Sequence, residues 1–99
     1  KNIPWSRKDV NRGELLHSFP ELTQFVARET IPASFLIDSV GLKGWRVGKV
    51  VISHKHANYF VNEGGAKAEE VMALAAIAKD TVRQKYGLQL EEEIQYVGF

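Results

Sequence analysis

Apolar positions along the chain change period partway, and the change sketches a fold. Between residues 67 and 86, Val71, Leu74, Ala75, Ala78 and Val82 fall at i, i+3, i+4, i+7 and i+11, one stripe of a long amphipathic helix. Glu69 and Glu70 suit its positive N-terminal end, and Arg83 and Lys85 suit its negative C-terminal end. Gly87 is the expected terminator. Val47–Ser53 and Asn58–Asn62 are rich in β-branched and aromatic residues and predict two strands, with His54–Ala57 as a tight polar turn between them. Ile94–Val97 predicts a last strand, delivered by a short turn from the long helix.

The first third of the chain is punctuated differently. Residues 1–10 carry little periodicity and read as an extended lead-in. Asn11-Arg-Gly-Glu14 has the form of a capping box, predicting a short helix through Leu15 and Leu16 to about Phe19, where Pro20 stops it. Residues 22–31 alternate weakly, as an edge strand or a loop would. Thr30 is expected to cap a second helix with Pro32 in its first turn. Phe35, Leu36 and Val40 would form the apolar face of that helix, and Gly41 its left-handed end. The order helix, helix, strand, strand, helix, strand predicts an α+β fold, a small sheet covered by helices, as a single domain over residues 1–99.

Composition narrows the possible partners. A formal net charge of +1 gives no global attraction to nucleic acid or to an anionic membrane surface, so neither is expected as a partner. With no cysteine, disulfides, thiolate metal sites and cysteine nucleophiles are excluded. No apolar run approaches the roughly 20 residues of a membrane span. The start, Lys1-Asn2-Ile3-Pro4-Trp5, has no apolar signal-peptide core. A cytoplasmic location is therefore expected. The absence of an initiator methionine suggests a chain cut from something longer.

Several side-chain groups invite chemistry, each against a plainer reading. His54 and His56, at i and i+2 on extended backbone, would point the same way and could share a metal, yet no third ligand stands at matching spacing. A polar turn accounts for them, and no metal site is expected. Gly41-x-x-Gly44 with Gly48, and Gly64-Gly65 before the long helix, lack the spacing and the lysine–serine pair of phosphate loops, and read as turns and caps. Lys43, Arg46, Lys49 and Lys55, interleaved with Trp45, form a basic cluster that an RNA-binding α+β domain would use, or a solvated surface. Glu91-Glu92-Glu93 is ordinarily a solvated turn. Glu93, however, would stand at the start of the last strand, on the face of Gln95 and Val97, where rigid backbone suits a catalytic carboxylate.

Five motifs in register carry a resemblance. Pro32-Ala-Ser-Phe-Leu-Ile-Asp38, Gly41-Leu-Lys-Gly-Trp-Arg-Val-Gly48, Ser53-His-Lys-His-Ala-Asn-Tyr-Phe-Val-Asn62, Gly64-Gly65-Ala66 and Glu93-Ile94 together resemble the C-terminal domain of the UDP-N-acetylenolpyruvoylglucosamine reductases, the MurB family, over residues 30–98. The Ser-x-Lys-His form is similar to the shorter variety of that family. Lys1-Asn2 resembles the end of the family's Gly-Ser-Phe-Phe-Lys-Asn motif, whose serine would lie just upstream. Residues 3–29 fall outside the resemblance. Ile3 stands where the family commonly has proline, and Lys67 where a threonine often caps the helix.

The resemblance implies a flavoenzyme of bacterial cell-wall synthesis. In that family an FAD-binding region, here absent, takes hydride from NADPH and passes it to the enolpyruvyl double bond of a UDP-sugar, giving UDP-N-acetylmuramate. A serine protonates the enol-like intermediate, while an arginine and a glutamate stabilise it. The glutamate matches Glu93, which would hydrogen-bond the developing enediol as a protonated or shared-proton group. Asn2, His56 and Lys55 are the substrate-binding candidates, Lys55 toward the diphosphate. FAD and NADPH would be held mainly by residues outside this chain, which alone would be inactive. The expected partners are the UDP-sugar substrate and the missing FAD-binding region. The rival reading is a non-catalytic ligand- or protein-binding module of the same fold.

Overall fold

A computed structural model describes Asn2 to Phe99; Lys1, part of the Lys1-Asn2 motif, lies outside the described residues. The chain runs through β1 (Ile3–Pro4), α1 (Arg12–Ser18), a 3-10 helix (Pro20–Phe25), β2 (Thr30–Ile31) and α2 (Ala33–Ser39). It continues through β3 (Arg46–Val47), β4 (Val50–Ile52), β5 (Tyr59–Asn62), α3 (Ala68–Tyr86) and β6 (Gln95–Val97). This is the expected α+β arrangement, with a second, two-stranded sheet formed by β1 and β2.

The main sheet has the order β3-β4-β5-β6, antiparallel except for the parallel β5–β6 pair. Parallel neighbours cannot be joined by a tight turn, and α3 supplies the crossover. Of its predicted stripe, Leu74, Ala75, Ala78 and Val82 are buried and Val71 is half-buried, while Tyr86 extends the buried side toward the C-terminal end. They share a core with Val50 and Ile52 of β4 and Phe60 of β5. Gly87 closes the helix in the left-handed region at φ 71°. At the other end the Lys67 N–H donates to Glu70 Oε1 at 2.9 Å, which holds the Glu70 carboxyl below its ordinary value.

Smaller elements depart from the sequence reading where tertiary contacts decide. The expected strand Val47–Ser53 is broken into a hairpin, because Val47 pairs with Val50 and leaves Gly48-Lys49 as a two-residue turn. Gly48 takes φ 57°, a backbone open to glycine. Thr30 does not cap α2. It lies in β2 opposite Pro4, while Pro32 is the N-cap and Asn2 Oδ1 accepts the Ala33 N–H at 3.1 Å. Within residues 22–31, a 3-10 turn precedes β2 in place of one strand or loop. The Asn11 cap forms, its Oδ1 accepting from Glu14 N at 3.1 Å.

Gly48 offers a direct test, because a Cβ there would collide with the Glu70 carboxylate as well as strain the turn. Gly48→Ala is expected to lower unfolding free energy by about 1–2 kcal/mol, the scale of an L-residue forced left-handed. Urea melts compare it with Gly13→Ala, where a Cβ meets nothing closer than 3.8 Å.

Candidate functional site

After Gly87 the chain returns to the sheet over residues 88–94, and apolar side chains fix its path. Leu88, Leu90 and Ile94 are buried, and Gln95 N donates to Asn58 O at 2.8 Å where β6 begins beside β5. The return is longer than the short turn expected. It also changes the position of Glu93, which sits in a turn ahead of β6 and is buried, whereas Gln95 and Val97 are exposed. The strand-face alternation therefore does not extend back to Glu93. Its side chain instead folds against its own turn, one carboxylate oxygen accepting from the Glu91 N–H.

Glu93 is the one charged side chain that is buried among the described residues, at 5% exposure. Such a group is costly unless hydrogen-bonded or paired. Its second oxygen lies 3.9 Å from Nη1 of Arg7. The Arg7 guanidinium, itself only 19% exposed, is a hub. Its Nε and Nη2 donate to the two oxygens of Asp9 at 2.5 and 2.8 Å, Nη2 also donates to Gln89 O at 2.7 Å, and Nη1 reaches Glu91 at 3.4 Å. The hydrogen bonds from Arg7 hold the Asp9 carboxyl below its ordinary value of 3.8. Arg7 had no signal in the sequence. It lies in the stretch that reads as an extended lead-in, and its contact with Glu91 spans 84 residues.

Two depressions receive the four candidates. One, of about 360 Å³, is lined by Asn2, Pro4, Arg7, Glu91, Glu92 and Glu93. The other, of about 320 Å³, holds Lys55 and His56 with Arg28, Lys43, Phe25 and Phe35 among its walls. The structure thus unites Glu93 with Asn2 and sets Lys55 with His56. The start of α2 links them: Asn2 of the first bonds Ala33, and the preceding Pro32 lines the second. Ser53 Oγ shapes the connection that carries Lys55 and His56 by accepting both their backbone N–H groups at 3.1 Å. The hollows along α1 and beside Trp5 contain none of the four.

The remaining candidates have other surroundings. No group of three or more metal-binding side chains forms among the described residues. The His54 ring instead lies where a Cβ on Gly44 would fall, and the His56 ring lies 5.4 Å from that of Tyr59. The basic cluster is broken up by ion pairs, Lys43 with Asp38 at 3.5 Å and Arg46 with Glu63. No described helix is long and apolar enough to cross a membrane.

The chain is similar to known proteins over most of its length. The family model "UDP-N-acetylenolpyruvoylglucosamine reductase, C-terminal domain" matches residues 8–97, reaching nearer the N-terminus than the motif resemblance did. A UDP-N-acetylenolpyruvoylglucosamine reductase of Fervidobacterium nodosum is 52% identical over 60% of this chain and 19% of its own length. Proteins of the same name from Chloroherpeton thalassium and Geobacter metallireducens are 51% and 42% identical over 68% and 81% of the chain, and 22% and 27% of their own lengths. The chain spans about a fifth to a quarter of these relatives.

The Arg7–Asp9 contact gives a pH signature. Because Asp9 titrates lower folded than unfolded, its stabilising contribution is complete above 3.8 and is lost as pH falls through the folded value. The stability gap between the wild type and Asp9→Asn should therefore be constant from about pH 5 to 7 and close below pH 3.8, measured by chemical denaturation at each pH.

Proposed function

The chain belongs to the family of UDP-N-acetylenolpyruvoylglucosamine reductase C-terminal domains, and from that footing we propose that it is the substrate-side domain of an FAD- and NADPH-dependent reductase. The parent enzyme reduces UDP-N-acetylglucosamine enolpyruvate to UDP-N-acetylmuramate for peptidoglycan synthesis in the cytoplasm. The observation that carries the reading is the buried carboxylate of Glu93 in one depression with Asn2. Both residues stand at positions that match the family's motifs.

The described residues do not fit a dinucleotide. The start of α3 has the glycine approach that a phosphate would favour, but three of its N–H donors are already engaged within the chain. Asn62 Oδ1 accepts from Gly64 N at 2.8 Å and Ala66 N at 3.2 Å, and Glu70 takes the Lys67 N–H. FAD and NADPH, which supply the hydride, are assigned to the remainder of the parent chain.

The role left to this domain is to hold the substrate and steady charge. Hydride addition to the enolpyruvyl double bond pushes an electron pair onto the adjoining carboxylate, giving an enediolate-like species that a proton then quenches. Glu93 hydrogen-bonds that carboxylate, as a protonated or shared-proton group. Rigid placement is what gives such a contact value, since a group that need not reorganise stabilises the transition state most. The Asn2 carbonyl is committed to Ala33, and its amide N–H groups donate to the substrate. Lys55 and His56, with Arg28 and Lys43 near them, provide positive charge and donors for the diphosphate in the neighbouring depression.

In the full-length reductase, Glu93→Gln is expected to lower the kcat of substrate-dependent NADPH oxidation about hundredfold. Flavin reduction by NADPH in the absence of the UDP-sugar should be unchanged. An undiminished kcat in the mutant would remove Glu93 from the chemistry.

A further inference from the structure

The hub around Arg7 does more than neutralise a surface. One cation faces the carboxylates of Asp9, Glu91 and Glu93, and its planar fork also grips the Gln89 carbonyl. Glu91 and Glu92 are exposed, so no buried apolar side chain anchors the turn between Leu90 and Ile94. Among the described residues, polar ties cross that gap, Glu93 to the Glu91 N–H and Arg7 to the flanking segment. Arg7 comes from the loop after β1, one residue before the stretch that the family model matches.

We propose that Arg7 is a positioning residue for Glu93. Its guanidinium clamps residues 89–93 and balances their charge, so that the Glu93 carboxylate is held in the depression it shares with Asn2. Asp9 serves by orienting the fork, taking Nε and Nη2 so that Nη1 is directed at Glu91 and Glu93. Without the cation, three carboxylates face one another and their repulsion opens the turn. A lysine would supply charge but not the simultaneous contacts of the fork. This inference rests on the role proposed above for Glu93.

The test is a double-mutant cycle in the full-length reductase, with flavin reduction by NADPH and oxidation of the reduced flavin by the UDP-sugar followed separately. Arg7→Gln is expected to slow the second half-reaction about tenfold or more, as a displaced catalytic group does, and to leave the first unchanged. Arg7→Lys should recover less than half of the lost rate. Adding Arg7→Gln to Glu93→Gln should cost less than about twofold further, because residues acting as one unit are not additive. If Arg7→Gln does not fold, Asp9→Asn frees the fork at one end and should give a smaller loss that likewise vanishes beside Glu93→Gln. Additive losses, or an unchanged second half-reaction in Arg7→Gln, would overturn the positioning role while leaving that of Glu93 intact. A fully active Glu93→Gln enzyme would instead overturn the role of Glu93 itself, and the positioning role with it.

Discussion

The parallel pairing of β5 with β6 is the constraint on which the rest of the structure depends. Antiparallel neighbours in this sheet are joined by turns of a few residues, but a parallel partner must be approached from the same end. The chain therefore has to travel back along the sheet, and α3 is that return path. Its apolar stripe buries against β3 and β4 and shares a core with Phe60 of β5, which covers one sheet face and forms much of the core. The following segment must re-enter at the start of β6, so Glu93 is delivered to the end of the sheet beside the connection that precedes β5, where Asn58 Nδ2 donates to Glu93 O at 3.5 Å.

That delivery explains how a charged group comes to be buried. Leu90 and Ile94 are drawn into the core on either side of the turn, and Glu93 is carried inward with them. The cost of removing its carboxylate from water is offset by the Glu91 N–H and by the nearby Arg7 guanidinium. A group fixed in this way loses little freedom on meeting a ligand. The same economy appears at Asn2, whose carbonyl closes the first turn of α2 and so joins β1 to the helix that borders the second depression.

The sequence made the strongest local signals legible. The stripe of α3, its acidic start and Gly87 were readable because helical periodicity accumulates over many residues, and the Asn11 cap because its partner is three positions away. The Gly48-Lys49 hairpin was hidden in a run of β-branched residues without an Asn-Gly or Asp-Gly turn signal. Thr30 had a good cap residue's chemistry, yet pairing with Pro4 placed it in β2 and a distant asparagine took the capping role. The motifs pointed to Glu93 and Asn2, which line one depression, but not to Arg7, which lines it too. A contact between the two ends of a chain has no local pattern to betray it. The face assigned to Glu93 was wrong for a related reason, since strand alternation was extended one turn beyond where β6 begins.

The most direct measurement is a crystal structure of the full-length reductase with its enolpyruvyl UDP-sugar bound. The substrate carboxylate should lie within hydrogen-bonding distance of Glu93, and the diphosphate beside Lys55 and His56. A substrate seated with its carboxylate away from Glu93 and its diphosphate outside both depressions would contradict that placement.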